Sequence, residues 1–344
     1  MNMKKIIRNT GAVISVGGVG VYTAYKMVFG KTKKNDGLET EMLQGKQYEP
    51  YEPVIKSGME KAGKLPFQRI FIESRDGITL AGKYYHVKDG APLILFFHGY
   101  RGSALRDGNG ILLYAKEAGY NALLVDQRCH GKSGGKAITF GIKERYDCMD
   151  WIRYVNRRFG DTTPIVLAGI SMGASTVLMA ADLGLPVNVK GIMADCPYSA
   201  PKEILREVMK QMKFPVNVTY TAVRLGAKIF GGFDIEEHSA IESMKNCYLP
   251  VLFIHGDEDY FVPCKMSEDC FDACISEDKK RVVVPGAAHG MSYCVDGELY
   301  KKEMNEFLQR IHSFLFCRIC VQAVIACTFL MSVFHRYGRI NFII

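Results

Sequence analysis

The stretch "PIVLAGISMGASTVLMAADL" (164–183) passes from an apolar run into helix-forming residues through the short sequence "GISMG" (169–173). Ser171 stands at that junction, with glycine two residues before it and two residues after it. Glycines at these positions keep side chains out of a sharp strand-to-helix turn, which leaves the serine exposed above a sheet. The pattern predicts a buried strand, a turn and a helix, with Ser171 either a nucleophile or a structural turn residue.

Similar apolar runs recur along the chain, as expected for strands that are buried on both faces of a sheet. They are "LILFF" (93–97), "ALLV" (122–125), "PIVLAG" (164–169), "KGIMAD" (190–195), "VLFIHG" (251–256) and "RVVVPG" (281–286). Two further segments, 67–74 and 79–87, read as an antiparallel opening pair around Asp76-Gly77, and helical stretches such as 142–159 separate the later strands. The order predicts a mostly parallel, doubly wound α/β sheet of about eight strands.

Polar side chains follow several of these strands, and the carboxyl ends of parallel strands share one edge of a sheet. A serine hydroxyl needs an imidazole to accept its proton and a carboxylate to orient that imidazole. His289, in "GAAHG", is the predicted base, and Asp259, in "HGDEDYFVP", is the predicted acid. The backbone N–H groups of Met172 and Tyr100 are the predicted oxyanion donors.

Other assignments stay open at this level. Asp257 replaces Asp259 as the acid if the loop bends differently, and Asp195, after "KGIMA", is a further fallback. His98 and His130 are interpreted as structural residues that hydrogen-bond their own loops. Asp126 is interpreted as a local cap or pairing residue.

Five motifs in order, "FFHGYRGS", "DQRCHGKSGG", "GISMG", "HGDEDYFVP" and "GAAHG", resemble those of the α/β-hydrolase superfamily over residues 67–312, particularly bacterial serine hydrolases and esterases. The resemblance implies a Ser-Asp-His order in the chain, an acyl-enzyme mechanism, and no metal or organic cofactor. Cys129 stands where the resembling family usually has glycine, which predicts a strained loop or a narrower pocket.

Residues 197–247 exceed the length of one crossover helix, so two or three helices are expected to form a small cap. Its methionines and aromatic residues either line an acyl pocket or pack the cap onto the sheet. A hydrophobic carboxylic ester, such as a short acyl ester or a lipid-like acyl compound, is the expected substrate. A serine peptidase, a thioesterase, an acyltransferase and a catalytically silent scaffold are the alternatives.

The N-terminus predicts a membrane anchor over residues 1–30, because residues 9–25 carry no charge and basic residues flank them. A cleaved signal peptide and a peripheral helix are the alternatives. The prediction places the protein at the cell membrane, with the side undecided. Residues 31–66, polar and with three prolines, are interpreted as a linker or arm.

The apolar tail, 313–344, is predicted to be a second membrane helix, an amphipathic surface helix or a docked C-terminal helix. The net charge of +8 is spread along the chain, so nucleic acid is not expected as a partner. The 11 cysteines match no zinc-site spacing, and reduced, packed thiols are expected.

Overall fold

The computed structural model describes residues 18–31, 45 and 47–311. The chain divides into two compact units, Met1–Gly297 and Glu298–Ile344. The predicted tail, 313–344, lies outside the described residues.

Eight strands of the described part form one sheet in the order β1-β2-β4-β3-β5-β6-β7-β8. The strands are β1 (Gln68–Glu73), β2 (Thr79–Tyr85), β3 (Leu93–Phe97), β4 (Asn121–Asp126), β5 (Ile165–Ile170), β6 (Val189–Asp195), β7 (Val251–Gly256) and β8 (Lys279–Val284). β2 is antiparallel to both β1 and β4, and the remaining neighbours pair in parallel. The predicted doubly wound sheet, with its antiparallel opening pair, is confirmed.

Helices connect and cover the strands. They are α1 (18–29), α2 (Glu52–Gly63), α3 (Ala104–Ala118), α4 (Glu144–Phe159), α5 (Met172–Ala180), α6 (Pro201–Gln211), α7 (Val216–Gly226), α8 (Ala240–Met244), α9 (Lys265–Ala273), α10 (Ser292–Val295) and α11 (297–311). A one-turn 3-10 helix, Glu49–Tyr51, precedes α2, and a π-helical turn, Ala227–Gly231, follows α7.

Both faces of the sheet carry helices because successive side chains of a strand point to opposite faces. Leu124 of β4 meets α3 at Gly108, where an added Cβ would lie 2.9 Å from the leucine side chain. The side chains of its neighbour Leu123 and of Trp151 in α4 both lie beside Gly82 of β2. The core is therefore built from both faces of one sheet, and the carboxyl ends of the strands form the edge that carries the polar loops.

The predicted cap, 197–247, contains three α-helices, of which α8 packs apart from α6 and α7. α6, α7 and the π-helical turn form the insertion between β6 and β7. α8 packs on α5 instead, with Ala240 and Met244 buried and the Ser243 hydroxyl donating to the carbonyl of Met179 at 3.1 Å. α8 is therefore a helix of the sheet layer, and the cap is shorter than predicted.

The predicted linker or arm, 31–66, contains a helix. α2 buries Ile55, Met59 and Ala62 on one side and packs on α3. These positions are four and three residues apart, as on one face of a helix. This segment therefore covers part of the domain.

The predicted anchor, 1–30, overlaps α1, and its first 17 residues lie outside the described residues. Tyr25 and Phe29 of α1 are buried against the domain, with the Phe29 ring 5.2 Å from Phe233 and 5.9 Å from Phe140. Among the described residues, no helix combines the length and the apolar character needed to cross a membrane. The described part of the predicted anchor is thus a short helix packed on the domain.

Candidate active site

Ser171 occupies the turn between β5 and α5 with φ 53° and ψ −118°. A positive φ at a non-glycine residue is strained, and such strain collects at functional turns. Side chains on Gly169 or Gly173 would overlap backbone atoms, those of Gly173 in the first case and those of Phe97 and His98 in the second. The two glycines therefore allow the sharp turn that presents Ser171 at the end of the sheet.

His289 lies on the loop after β8, 118 residues from the serine in sequence. Its Nε2 accepts a hydrogen bond from the Ser171 hydroxyl, with an Nε2–Oγ distance of 2.9 Å. The imidazole packs beside the Phe261 ring, with a centroid distance of 5.1 Å. The side chain is only 14% exposed, so the ring is held in place and still reachable from the site.

Asp259, on the loop after β7, completes the hydrogen-bonded chain. His289 Nδ1–H donates to Asp259 Oδ2 at 2.6 Å, and the other carboxylate oxygen accepts the N–H groups of Phe261 and Val262 at 3.0 and 2.8 Å. Burial raises the pKa of Asp259, but the charge of His289 and hydrogen bonds from His255 and His289 outweigh it and lower the pKa to about 2. The carboxylate is thus ionised at neutral pH and fixes the proton of His289 on Nδ1.

The structure adds His255, which the sequence pattern used only as a marker of the loop. This fully buried residue is the next to last of β7, and its Nε2–H points to Asp259 Oδ2 at 3.1 Å and to the Val262 carbonyl at 2.9 Å. Both partners are acceptors, so Nε2 carries the proton. Nδ1 has no hydrogen-bond partner among the described residues. The signal in the sequence was its place at the carboxyl end of a strand, four residues before the acid.

The two alternative acids make other contacts. The Asp257 carboxylate accepts the backbone N–H of Gly286 at 2.7 Å, next to the turn that follows β8. The Asp195 carboxylate accepts the hydroxyl of Ser292 at 3.4 Å. Of the three candidate acids, Asp259 is the one whose hydrogen bond to His289 is seen.

The loop that follows β3 runs beside the serine. A Cβ added to Gly99 would lie 3.5 Å from Ser171 Cβ, which brings Tyr100 next to the site. Met172 is the first residue of α5, where helix N–H groups lack partners within the helix. No hydrogen bond between described residues uses the N–H of Tyr100 or Met172. Both predicted donors therefore remain available for an oxyanion.

His98 and His130 brace this loop. His98 Nε2 accepts the N–H of Gln127 at 3.1 Å, and His130 Nε2 accepts the N–H of Arg101 at 3.0 Å. Burial lowers the pKa of each imidazole, so both act as neutral acceptors. Each histidine thus joins the loop after β3 to the loop after β4, a wider role than the predicted bond within its own loop. The Asp126 carboxylate accepts the N–H of Lys132, a local contact as predicted.

Two cysteines bear on the site. Cys129 has φ 66°, so a side chain stands in a conformation that favours glycine, as its unusual place in the motif predicted. Cys196 is buried directly after β6, and its sulfur lies within 4.8 Å of ligand atoms of Asp259 and His289. Burial raises the pKa of the Cys196 thiol well above its usual range, which disfavours the thiolate that a metal ion would need. Asp259 and His289 already hydrogen-bond each other. The site therefore fits a hydrolytic triad better than a metal centre. All eight cysteines of the described part are free.

The segment before β1 supports the histidine loop. Tyr48, Ile55 and Met59 form a buried cluster with Met291, two residues after His289, and Ala288 packs against it. The burial of this apolar cluster fixes the loop from the side opposite the sheet. The sequence pattern missed this contact because polar residues dominate 31–66.

Comparison with known proteins found a matching family model and a curated relative that spans most of the chain. Residues 90–246, which include Ser171 but neither Asp259 nor His289, match the family model described as serine aminopeptidase, S33. The chain is 25% identical to YqkD, an uncharacterised protein of Bacillus subtilis, over 319 residues that cover 90% of this chain and 99% of the relative.

Two solved structures share the fold. The esterase Pf2001 of Pyrococcus furiosus has a TM-score of 0.60 at 22% identity, covering 73% of this chain and 94% of that one. The alpha/beta hydrolase GrgF of a Penicillium species has a TM-score of 0.57 at 17% identity, covering 72% of this chain and 99% of that one. The chain has the α/β-hydrolase fold, and the comparisons together support a hydrolase.

Proposed function

From this fold and the geometry of the site, we propose that the protein is a serine hydrolase that cleaves a hydrophobic carboxylic ester through an acyl-enzyme on Ser171. The observation that carries the proposal is the continuous hydrogen-bonded chain from Ser171 Oγ to His289, at 2.9 Å, and from His289 to Asp259, at 2.6 Å. A structural turn serine has no need for an oriented imidazole.

In this mechanism, Ser171 Oγ attacks the ester carbonyl while its proton passes to His289 Nε2. The carbonyl oxygen becomes an oxyanion, which accepts hydrogen bonds from the N–H groups of Tyr100 and Met172. Asp259 stays ionised and stabilises the imidazolium. As the tetrahedral intermediate collapses, the ester C–O bond breaks and His289 gives its proton to the departing alkoxide.

Deacylation repeats these steps with water as the nucleophile. His289 Nε2 takes a proton from the water as its oxygen attacks the acyl carbonyl. The second tetrahedral intermediate releases the acid, and Ser171 Oγ leaves with the proton from His289. The enzyme returns to its starting state with one ester bond hydrolysed and one water consumed.

A hydrophobic ester is favoured by the apolar surroundings of the loop that carries Tyr100. The Tyr100 ring stacks on Phe140 at 5.0 Å, and the Phe140 ring meets Phe29 of α1. The esterase named among the structural relatives points to the same bond type. The family description, serine aminopeptidase, favours a peptide bond instead, which makes a peptidase the second candidate.

Labelling with a fluorophosphonate probe tests the nucleophile, because the probe phosphonylates activated serines. Full-length protein, Ser171→Ala and His289→Ala are compared, with the exposed Ser57→Ala as control, and the modified peptide is mapped by mass spectrometry. Modification of Ser171 that is lost in the first two variants and kept in Ser57→Ala is expected. A folded wild type that stays unlabelled would contradict the proposal and favour a silent scaffold.

Turnover then separates the substrate classes. p-Nitrophenyl esters of increasing acyl length, the matching thioesters and aminoacyl p-nitroanilides are offered to the same preparation. Ester turnover that increases with acyl length is expected. Faster anilide turnover would establish the peptidase, faster thioester turnover the thioesterase, and transfer to an added alcohol in preference to water the acyltransferase.

A further inference from the structure

α1 and the cap form one surface. Gly226 of α7 lets the two helices approach closely, since an added Cβ would lie 2.8 Å from Tyr25 Cβ and 3.0 Å from the Val21 carbonyl. The edge of the Tyr22 ring meets Phe230 of the π-helical turn at a centroid distance of 5.0 Å. The side chains that point outward from the two elements are therefore neighbours.

The outward side of this pair is apolar. It consists of Val19 and Tyr22 from α1 and of Leu225, Ile229 and Phe230 from the cap, here called the α1–cap face, and each residue is between 43% and 66% exposed. Leu225 lies near the end of α7 and Ile229 in the π-helical turn that follows, and both side chains are exposed. Val218, seven residues before Leu225 on α7, is 71% exposed. Contiguous exposed apolar residues of this kind mark a binding surface.

The two segments that form the α1–cap face contain basic residues and no acidic ones. The chain contains 36 acidic residues, yet residues 1–35 and 216–232 include none. Lys26 is exposed on α1, and Arg224 and Lys228 lie on the cap helix and its π-helical turn. Asp234 pairs with both of these cap cations and Glu236 pairs with Arg224, so the cap side of the face is close to neutral and the unbalanced positive charge lies at the α1 end. An apolar surface with unbalanced positive charge at one end is a pattern of surfaces that bind anionic lipids.

The chain outside the described residues continues the same character. Residues 9–17, "NTGAVISVG", lead directly into α1 without a charge, and Lys4, Lys5 and Arg8 precede them. In the sequence, an uncharged segment thus precedes α1 directly. This continuity, and the absence of acidic residues from 1–35, favour a lipid surface over a protein partner.

We propose that the α1–cap face docks on the surface of an anionic phospholipid bilayer, with its apolar side chains below the headgroups. α1 then lies along the interface and does not cross it, because Tyr25 and Phe29 are committed to the domain. The last carbonyls of α1 accept hydrogen bonds from Tyr100, Arg101 and Ile138 at 2.7, 2.5 and 2.7 Å. Docking would therefore hold the loop of Tyr100 close to the lipid, a consequence that does not depend on the reaction catalysed.

The test measures depth as well as binding. Full-length Ile229→Trp is mixed with phosphatidylglycerol–phosphatidylcholine vesicles whose acyl chains carry bromine, which quenches nearby tryptophan. Trp151 is 1% exposed and supplies a constant background. Tyr248→Trp, at a position 81% exposed in the loop before β7, is the matched control. We expect quenching at position 229, none at 248, and at least tenfold weaker binding to vesicles of phosphatidylcholine alone.

A second variant tests the contribution of the face to affinity. Leu225→Glu combined with Ile229→Glu is expected to weaken binding to the anionic vesicles by about tenfold or more, because two charges would have to enter the apolar layer. Val187→Glu, at an exposed apolar position in the loop before β6, is expected to bind like wild type. Fluorophosphonate labelling of each variant checks that the site remains assembled.

Three results would overturn the proposal. Vesicle-bound Ile229→Trp without quenching would place the lipid contact in another segment. Equal quenching at positions 229 and 248 would mean that no particular face docks. Wild-type affinity in the double variant would show that the α1–cap face does not bind lipid.

Discussion

His255 and His289 donate hydrogen bonds to the same carboxylate oxygen, Oδ2 of Asp259, at 3.1 and 2.6 Å. One imidazole faces the substrate side and the other is fully buried behind the acid. The acid is therefore held from both sides, and His255 is a positioning residue that acts through Asp259.

Replacing His255 tests this role. His255→Leu removes a hydrogen bond to a charged group, a loss of about 1.5–3 kcal/mol, so we expect kcat on a p-nitrophenyl ester to fall by about tenfold to a hundredfold with little change in KM. His255→Gln keeps an N–H donor near the same place and is expected to recover most of that loss. If both variants raised KM and left kcat unchanged, His255 would not position the acid.

The choice between the two neighbouring aspartates is testable with a matched pair. Asp259→Asn removes the charge that orients His289, and kcat is expected to fall by about 10³- to 10⁴-fold. Asp257→Asn alters a residue that holds the turn at Gly286, and its kcat is expected to stay within about threefold of wild type. Steady-state ester hydrolysis measures kcat for both variants. A larger loss of kcat in Asp257→Asn than in Asp259→Asn would make Asp257 the acid.

The lowered pKa of Asp259 predicts a pH dependence of stability. Its folded-state pKa of about 2 lies below the ordinary value of 3.8, so the carboxylate stabilises the fold above pH 4, and this contribution is lost as the pH falls towards 2. The shift corresponds to about 2 kcal/mol.

Urea unfolding of wild type and Asp259→Asn between pH 5 and pH 2 measures this contribution. The difference in free energy of unfolding between the two proteins should shrink by about that amount over the interval. A constant difference would show that the ionised carboxylate does not stabilise the fold.

The packing of α1 on the domain should contribute to stability through Phe29. Its ring is completely buried against Phe140 and Phe233, so Phe29→Ala is expected to lower the free energy of unfolding by about 3 kcal/mol. Met27→Ala, at a position 62% exposed on the same helix, should change it by less than about 0.5 kcal/mol. Urea unfolding compares the two. Equal effects would mean that α1 does not pack on the domain in solution.

Local pattern was enough to predict the strands and to single out Ser171 and His289, but it left the acid open between Asp259, Asp257 and Asp195. Apolar runs bounded by glycine and polar residues specify buried strands, and the glycines around Ser171 specify its turn. The segment 31–66 gave only a weak indication of its helix α2, because Ile55, Met59 and Ala62 are few apolar positions within a mostly polar segment. The uncharged run before and within α1 predicted a membrane anchor, and such a run looks the same in the sequence whether lipid or a protein core covers it.

The sequence by itself determined which segments form the strands and the turn that presents Ser171, because neighbouring residues along the chain set these features. Only the tertiary structure decided that Asp259 faces His289 while Asp257 caps a turn, since two residues of one loop differ in direction only once the loop has its conformation. It also decided that His255 supports the acid and that α1 covers the cap. Those contacts join residues far apart in sequence, and packing, not local pattern, selects them.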